Sequence, residues 1–487
     1  MYSTNMSSIL QSGVRFRAYP DTGLASILAR WIGCQRFIYN SKVSEDRLFA
    51  AQRRLELVWG NSEVKAPLDQ AYAQFKDREL TPWLYEVPSQ ILRNGAVRWM
   101  NAKRRQLKKL GNAPRRRTRR DFNSVRVTGE LFRFVQTAAG PVIQLGTKAE
   151  PVGRLPFKAH RPFGLPKSIV LREVAGQWFV SFCYEHESNV IARKPHELAY
   201  ELNALDDATL ARVTLGLDRN VADNCVATSA GEQLRFDPLT VKRMQRKEIG
   251  AKRYQRRMAR SQNGSANRRK LVRRLARRLD YATRVRNDFA HRLTYRLVNS
   301  EARFFVLEDL KVGNMSRRPK AVKDERTGKW LRNRAKAKAG LNRKILASCW
   351  GRIDAFLRYK AGKKNKLVGK VPAQNSSRGC SRCGHIHADN RDARRFVCVR
   401  CGLTLHADHN AGINIKTLGI GALRDGAFFV EKPKKRIAFR RTDSIPTGGT
   451  PEVACGANIS PDPRPAWVRQ CATKQESCVA RRRSIGL

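Results

Sequence analysis

Apolar positions change their spacing several times along these 487 residues, and each change marks a different element. Residues 13–19 alternate apolar and polar up to Pro20, which predicts a short strand. Asp21 and Thr22 then cap a helix in which Leu24, Ile27, Leu28 and Trp31 recur at helical spacing. Cys34, Phe37, Ile38 and Tyr39 prolong it, and a helical pattern continues to about residue 110. Trp31 and Tyr39 read as core side chains rather than base-stacking ones. From 123 to 186 the period shortens to that of strands. SVRVTG, LFRFVQ, PVIQLG, SIVLREV and QWFVSFCYE are separated by Gly or Pro and suggest a small barrel. If strand 13–19 joins that barrel, the preceding helices are an insertion into it.

The second half alternates strands with helices. Residues 212–236 read as two adjoining strands, with Val213, Leu215 and Leu217 on one face and Asp218 near a strand centre. Leu271, Leu275, Leu279 and Ala282 form a helical stripe within 242–286, and the SQNGS run at 261–265 divides this stretch into two helices. Phe304 to Leu307 are four consecutive apolar residues, as expected of a strand buried on both faces, and Glu308 ends it. Residues 316–340 read as a basic loop or lid. Residues 341–359 are amphipathic through Leu341, Ile345, Leu346, Trp350, Ile353 and Leu357, and 367–374 form a last strand. After about residue 423 periodicity stops, which predicts a disordered tail.

Charge narrows the function. Lys and Arg number 97 against 41 acidic residues, a net charge of +56, far above what solubility needs and typical of a nucleic-acid binder. The run at 103–120 reads as a phosphate contact rather than a merely solvated segment. Residues 242–286 carry 18 Lys or Arg against only Glu248 and Asp280. Arg268, Arg269, Lys270, Arg273, Arg274, Arg277 and Arg278 are the candidate nucleic-acid contacts there. No apolar run approaches the ~20 residues of a membrane span, and the N-terminus lacks a secretory pattern. Eleven cysteines, an odd number, point to a reducing, cytoplasmic setting rather than a disulfide framework.

Two constellations carry chemistry. Cys380 and Cys383 form one CxxC pair, Cys398 and Cys401 another, with 14 residues between, and Gly384 and Gly402 follow each knuckle. Four thiolates so spaced suit tetrahedral Zn²⁺ with no open position, a structural site. The second set is Asp218 on a strand, Glu308 at a strand end and Asp408 at a helix start. An Asp inside a strand is either satisfied by hydrogen bonds or a metal ligand; with two further carboxylates the metal reading is preferred. Three such acids can hold two Mg²⁺ ions, hard cations that prefer oxygen. Asp309 is the neighbouring alternative to Glu308, but alternation turns it to the opposite face.

GLDRNV, FVLEDLKVGNM, the four-cysteine ribbon and HADHNAGINI resemble the RuvC motifs and zinc ribbon of the TnpB family, transposon-encoded nucleases related to type V CRISPR effectors. VRFRAYP, GCQRFIYN and LNRKIL extend the resemblance over about residues 13 to 420. It implies an α+β multidomain protein. Residues 1–20 and 123–195 would form an OB-like β-barrel wedge domain, and 21–122 a helical recognition domain. Residues 196–375 and 405–422 would form an RNase H-like RuvC nuclease domain, 376–404 an inserted zinc-ribbon target nucleic-acid-binding domain, and 423–487 the tail. It further implies RNA-guided cleavage of double-stranded target DNA, with guide RNA bound as a ribonucleoprotein and Asp218, Glu308 and Asp408 catalytic. One position departs from the family: Asn220 stands where Gly is frequent, and Asn tolerates the left-handed backbone better than most residues. A miniature type V CRISPR effector, a cleavage-silent RNA-guided binder and a DNA-strand transposase are the alternatives.

Overall fold

The computed structural model describes residues 8–429, apart from 61–62, 120–122, 139, 189–190, 192, 222–225 and 332–334. The tail expected after residue 423 therefore lies, from 430 onward, outside the described residues. The chain divides into two compact units, one built on residues 11–186 and the other on 187–433.

In the first unit, β1 (Ser8–Ala18) leads into α1 (Thr22–Val58). Asp21 caps that helix, its carboxylate accepting a 2.7 Å hydrogen bond from the Leu24 N–H. The helical pattern does not run unbroken to 110. Gly60, at φ +131°, and the prolines at 67, 82 and 88 leave only two short 3₁₀ turns before α2 (Ser89–Leu107). The two helices meet backbone to backbone: a methyl on Gly95 would lie 2.7 Å from the Gln35 carbonyl oxygen. Around that contact Leu28, Trp31, Ile38, Ile91, Leu92 and Trp99 are buried.

Six more strands follow: β2 (Ser124–Thr128), β3 (Phe132–Thr137), β4 (Gly140–Gly146), β5 (Pro151–Lys158), β6 (Ser168–Val174) and β7 (Gln177–Ser188). They join β1 in a seven-stranded sheet of order β2-β6-β7-β1-β5-β4-β3, so α1 and α2 are inserted between its first two strands in sequence. Inward positions of β1 (Val14, Phe16, Ala18) alternate with outward Arg15 and Arg17. Phe16, Phe134, Phe157, Phe163 and Phe182 form its aromatic core, with ring centroids 5.0–6.3 Å apart.

The second unit opens with α3 (Pro195–Asn203) and α4 (Asp207–Val213) before β8 (Thr214–Arg219). Val213 thus ends a helix rather than starting a strand, because Asp206 caps α4 by accepting from the Thr209 N–H at 2.8 Å. Next come β9 (Val226–Thr228), β10 (Gln233–Leu234), α5 (Pro238–Ala259), α6 (Ala266–Val298), β11 (Phe304–Glu308) and α7 (Val312–Met315). They lead to α8 (Ala335–Ala347), α9 (Trp350–Lys363) and β12 (Leu367–Val371). The sheet order is β10-β9-β8-β11-β12. β11 runs parallel to both β8 and β12, while β9 is antiparallel to β8. Every residue of β11 is buried, as the unbroken apolar run requires.

Two helical expectations change. The α6 stripe stops at Leu275: Leu279 keeps 48% of its surface exposed, because α5 buries only Ala251 and offers little to pack against. The deep contacts of α6 come later, through Phe289, Ala290, Leu293 and Leu297. The amphipathic stretch 341–359 is two helices, α8 and α9, broken at Cys349 with φ +61°, which leaves Leu341 and Leu346 exposed.

The small sheet β13 (Arg391–Asp392), β14 (Arg395–Val397) and β15 (Thr404–His406) precedes α10 (Ala407–Arg424). Three glycines seat α10 on the larger sheet. A methyl on Gly216 of β8 would lie 2.2 Å from the Gly412 carbonyl oxygen, one on Gly412 3.0 Å from the Thr228 backbone, and one on Gly419 2.3 Å from Val306. The start of α10 is therefore held close over β8 and β9.

Candidate functional site

Four thiols gather first. Cys380 and Cys401 lie 3.6 Å apart Sγ to Sγ, as do Cys383 and Cys398, and all four sulfurs fall within 4.8 Å of one another. The edges of a ZnS₄ tetrahedron are about 3.8 Å, given a Zn–S bond of about 2.3 Å. The soft, four-fold thiolate set fits Zn²⁺. Each knuckle folds the same way: the N–H of Gly384 donates to the Cys380 carbonyl at 2.9 Å, and that of Gly402 to the Cys398 carbonyl at 3.0 Å. Both glycines have positive φ, +73° and +70°, which a side chain would strain. Burial opposes ionisation of Cys398, but the backbone N–H groups of Cys401 and Arg400 and the neighbouring thiols bring it down to about 6. Fully buried Asn390 ties the knuckles together, donating to the Arg378 and His385 carbonyls and accepting from the Val399 N–H.

The three carboxylates come from distant parts of the chain. Leu217 of β8 pairs with Leu307 of β11, so Asp218 and Glu308 stand next at the C-terminal ends of adjacent parallel strands. Asp408 enters in the first turn of α10, where the helix dipole favours an anion. Burial, then the charges of Glu308 and Asp408, push the Asp218 carboxyl up to about 7. Hard oxygen donors that repel one another in a sheltered position suit a hard divalent cation.

Yet the trio is not drawn together as the thiols are: among the described residues, only the four sulfurs form a ligand set within 4.8 Å. Each remaining acid has a protein donor instead. Asp408 accepts from Arg391 Nη2 at 3.0 Å on Oδ1 and from Asn220 Nδ2 at 2.8 Å on Oδ2. Glu308 accepts from the Ser376 hydroxyl at 2.6 Å. Arg219, also buried, donates to the Glu308 carbonyl and stacks its guanidinium 5.7 Å from the Trp350 ring. Asp309 turns away to an exposed position beside Lys370, as alternation required.

Sequence reasoning missed Arg391, Ser376 and Asn390, none of which has a spacing signal. Asn220 was noticed for its backbone, but it is not among the positive-φ residues; its role is the side-chain bond to Asp408. Asn410 and Asn414, one turn apart on α10, reach the ribbon: both donate to the Gly379 carbonyl, at 2.8 and 2.7 Å. The i, i+4 pair within HADHNAGINI was the available clue.

The basic candidates divide. Arg269, Lys270, Arg273, Arg274 and Arg277 are exposed on α6. Arg268 is instead part of the α5–α6 turn, donating to the Met258 and Ser261 carbonyls. Arg278 lies in the groove between the helices, its guanidinium 5.0 Å from the Tyr254 ring and close above Gly250. Arg246, Arg253 and Arg257 line the same groove. No helix among the described residues is long and apolar enough to cross a membrane.

Three family models match the chain. The probable-transposase model covers residues 181–318, a Cas12f1-like TNB-domain model 350–415, and a helix-turn-helix model 6–46. In the last range the chain forms β1 and the first part of the single helix α1. InsQ of Escherichia coli (strain K12), named as a candidate RNA-guided DNA endonuclease, is 26% identical over 414 residues, 85% of this chain and 93% of its own. A Streptomyces pristinaespiralis protein of the same description is 28% identical over 426 residues, 86% of this chain and 91% of its own. The solved Cas12f1–sgRNA–target DNA complex covers 85% of this chain and 99% of its own at 10% identity and a TM-score of 0.42, too slight a likeness to bear on function.

Proposed function

Because the chain belongs to the TnpB (OrfB-like) family, we propose that it is an RNA-guided DNA endonuclease. It binds a guide RNA and cuts double-stranded DNA beside a short motif through one RuvC-type site, leaving 5′-phosphates. The observation that carries this reading is that Asp218 and Glu308 stand at the ends of adjacent parallel strands, with Asp408 near enough to join Glu308 in repelling Asp218, a repulsion a cation would relieve. In this reading residues 196–375 and 405–422 are the RNase H-like nuclease domain, and 376–404 the zinc ribbon that meets target nucleic acid. Residues 1–20 with 123–195 are the OB-like wedge, and 21–122 the recognition helices.

Asp218, Glu308 and Asp408 would hold Mg²⁺, which when bound supplies Lewis-acid activation of water and neutralises charge on the leaving 3′ oxygen. The chain's own part is positioning. β8 and β11 fix the spacing of Asp218 and Glu308, and the glycine-seated α10 sets Asp408 above them. Arg219 pins the end of β11 through the Glu308 carbonyl, and Ser376 orients the Glu308 carboxylate. The exposed arginines of α6 would hold a nucleic-acid backbone without reading its sequence.

The four cysteines would bind Zn²⁺ and act only in support, since four thiolates leave no open position. Three retained carboxylates speak against a cleavage-silent binder, which has no need of them. The test is a supercoiled-plasmid assay on the protein purified with its RNA, the RNA sequenced to design the target. Guide-directed linear product in Mg²⁺ is the expected result. Strand joining without a guide, or no cleavage at any matched target, would overturn it.

A further inference from the structure

Asp408 is more completely occupied than a waiting metal ligand should be. Both its oxygens accept hydrogen bonds, one from Arg391 and one from Asn220. The pair with Arg391 is sheltered: the Asp408 side chain retains 5% of its surface and that of Arg391 27%. The same guanidinium also acts on Asp218, offsetting part of the repulsion from Glu308 and Asp408. Arg391 therefore stands where one positive charge serves two of the three acids.

It does not come from the nuclease sheet. Arg391 lies on β13 of the ribbon, paired with Phe396 of β14. Beyond β13 the chain turns at Ala393, a residue with φ +45°, whose carbonyl accepts from Arg391 Nε at 3.2 Å. The next residue anchors the ribbon to α10, the Ala407 N–H donating to the Arg394 carbonyl at 2.8 Å. Ser376, at the ribbon's entry, donates its hydroxyl to Glu308 at 2.6 Å, a neutral hydrogen bond beside the ion pair of Arg391 with Asp408. Two of the three carboxylates are thus tied to one four-cysteine module, Glu308 at its entry and Asp408 at its first strand.

We propose that Arg391 is a built-in counter-cation, which occupies the cation position of the nucleic-acid-free protein and must leave Asp408 before a divalent cation can bind there. The occupant that draws it away is a phosphate of the nucleic acid, because a guanidinium pairs with phosphate in the same bidentate geometry as with carboxylate. Metal loading then follows nucleic-acid binding, and an empty protein is protected from cutting at random. Arg391 and Ser376 both belong to the ribbon stretch, so a phosphate that engages it bears on Asp408 and Glu308 together. The inference rests on the reading of Asp218, Glu308 and Asp408 as a metal site, but its test needs no cleavage.

The test measures Mn²⁺ binding by electron paramagnetic resonance on nucleic-acid-free protein, comparing wild type with Arg391→Gln and Arg391→Met. Zinc content is measured on each sample. Removing a charged hydrogen-bond partner of this kind should tighten Mn²⁺ about tenfold or more. A single-stranded oligonucleotide added to wild type should close most of that gap and leave the variants nearly unchanged. Equal Mn²⁺ affinity in wild type and both variants would overturn the proposal. So would loss of zinc from both variants, because a side chain acting as counter-cation is dispensable for the ribbon's fold. Absence of Mn²⁺ binding in every sample, with or without oligonucleotide, would instead sink the metal-site reading itself.

Discussion

The thiol cluster and the carboxylate trio belong to the same unit of the chain and are built in opposite ways. The four sulfurs already lie within 4.8 Å of one another, each on a knuckle that its own backbone closes. The carboxylates face one another across β8, β11 and α10, but both oxygens of Asp408 accept from Arg391 and Asn220, and one oxygen of Glu308 accepts from Ser376. A structural ion has only to stay, so its ligands can be preformed and tied to one another. In the proposed function the ion of the trio arrives with the nucleic acid, and until then its ligands would be held by groups that a phosphate can displace. The first arrangement favours affinity, the second favours timing.

The widest separation between the two should come from deleting ligands of the trio. Asp218→Ala, Glu308→Ala or Asp408→Ala should each lower cleavage by on the order of 10⁴, while zinc content and guide-directed binding in a gel-shift assay stay near wild type. A variant that still cuts at near wild-type rate would remove that residue from the site. Cys380→Ser should do the reverse. It should release zinc and lower the melting temperature of the 187–433 unit, since structural zinc contributes folding energy directly. Cleavage should fall as a consequence, because the ribbon also holds Asp408 and Glu308. Zinc at one equivalent in the serine variant would show that the four sulfurs are not a single site.

Asn390→Ala sharpens the contrast without touching a ligand. It removes the bonds that join the knuckles, and such outer partners are worth about 10–100-fold in metal affinity. A competition titration with a zinc chelator should register that loss, with cleavage in excess zinc almost unchanged. An unaltered chelator midpoint would mean the knuckles hold themselves.

The smallest effect is in pH. Asp218 is raised to about 7 by burial and by Glu308 and Asp408. Its folded-state value lies above its unfolded one, so its contribution to stability is present below about pH 4 and lost as pH rises through 7. The metal-free protein should therefore melt lower at pH 8 than at pH 5.5, and Mg²⁺ should remove most of that difference. Below pH 7 the proton competes with the cation, and apparent Mg²⁺ affinity should fall by up to about tenfold per unit. A flat melting profile in the absence of metal, with zinc retained, would deny Asp218 its repulsive neighbours.

What the sequence determined by itself was whatever depends on near neighbours. The Cys380–Cys401 spacing and its glycines imply the knuckles, because ligands a few residues apart have little freedom over where they meet. The apolar run at 304–307 implies a strand buried on both faces, and SQNGS the break between α5 and α6. Asp218, Glu308 and Asp408 were named from a strand centre, a strand end and a helix start, and only the structure puts Asp218 beside Glu308 at the C-terminal ends of paired strands. Tertiary structure decided the rest. Nothing in the spacing of 391 and 408, 376 and 308, or 220 and 408 says that these side chains bond; the last pair meets because α10 lies close against β8, which Gly216 permits, and the others because the ribbon stretch packs beside α10 and β11. Leu279 belongs to a helical stripe by period, yet stays exposed because the facing helix buries only Ala251. Arg268 is one basic residue among many until the α5–α6 turn takes up its guanidinium. Periodicity fixes which face a residue occupies along its own element, but the partner on that face comes from elsewhere in the chain and is settled only when the elements pack.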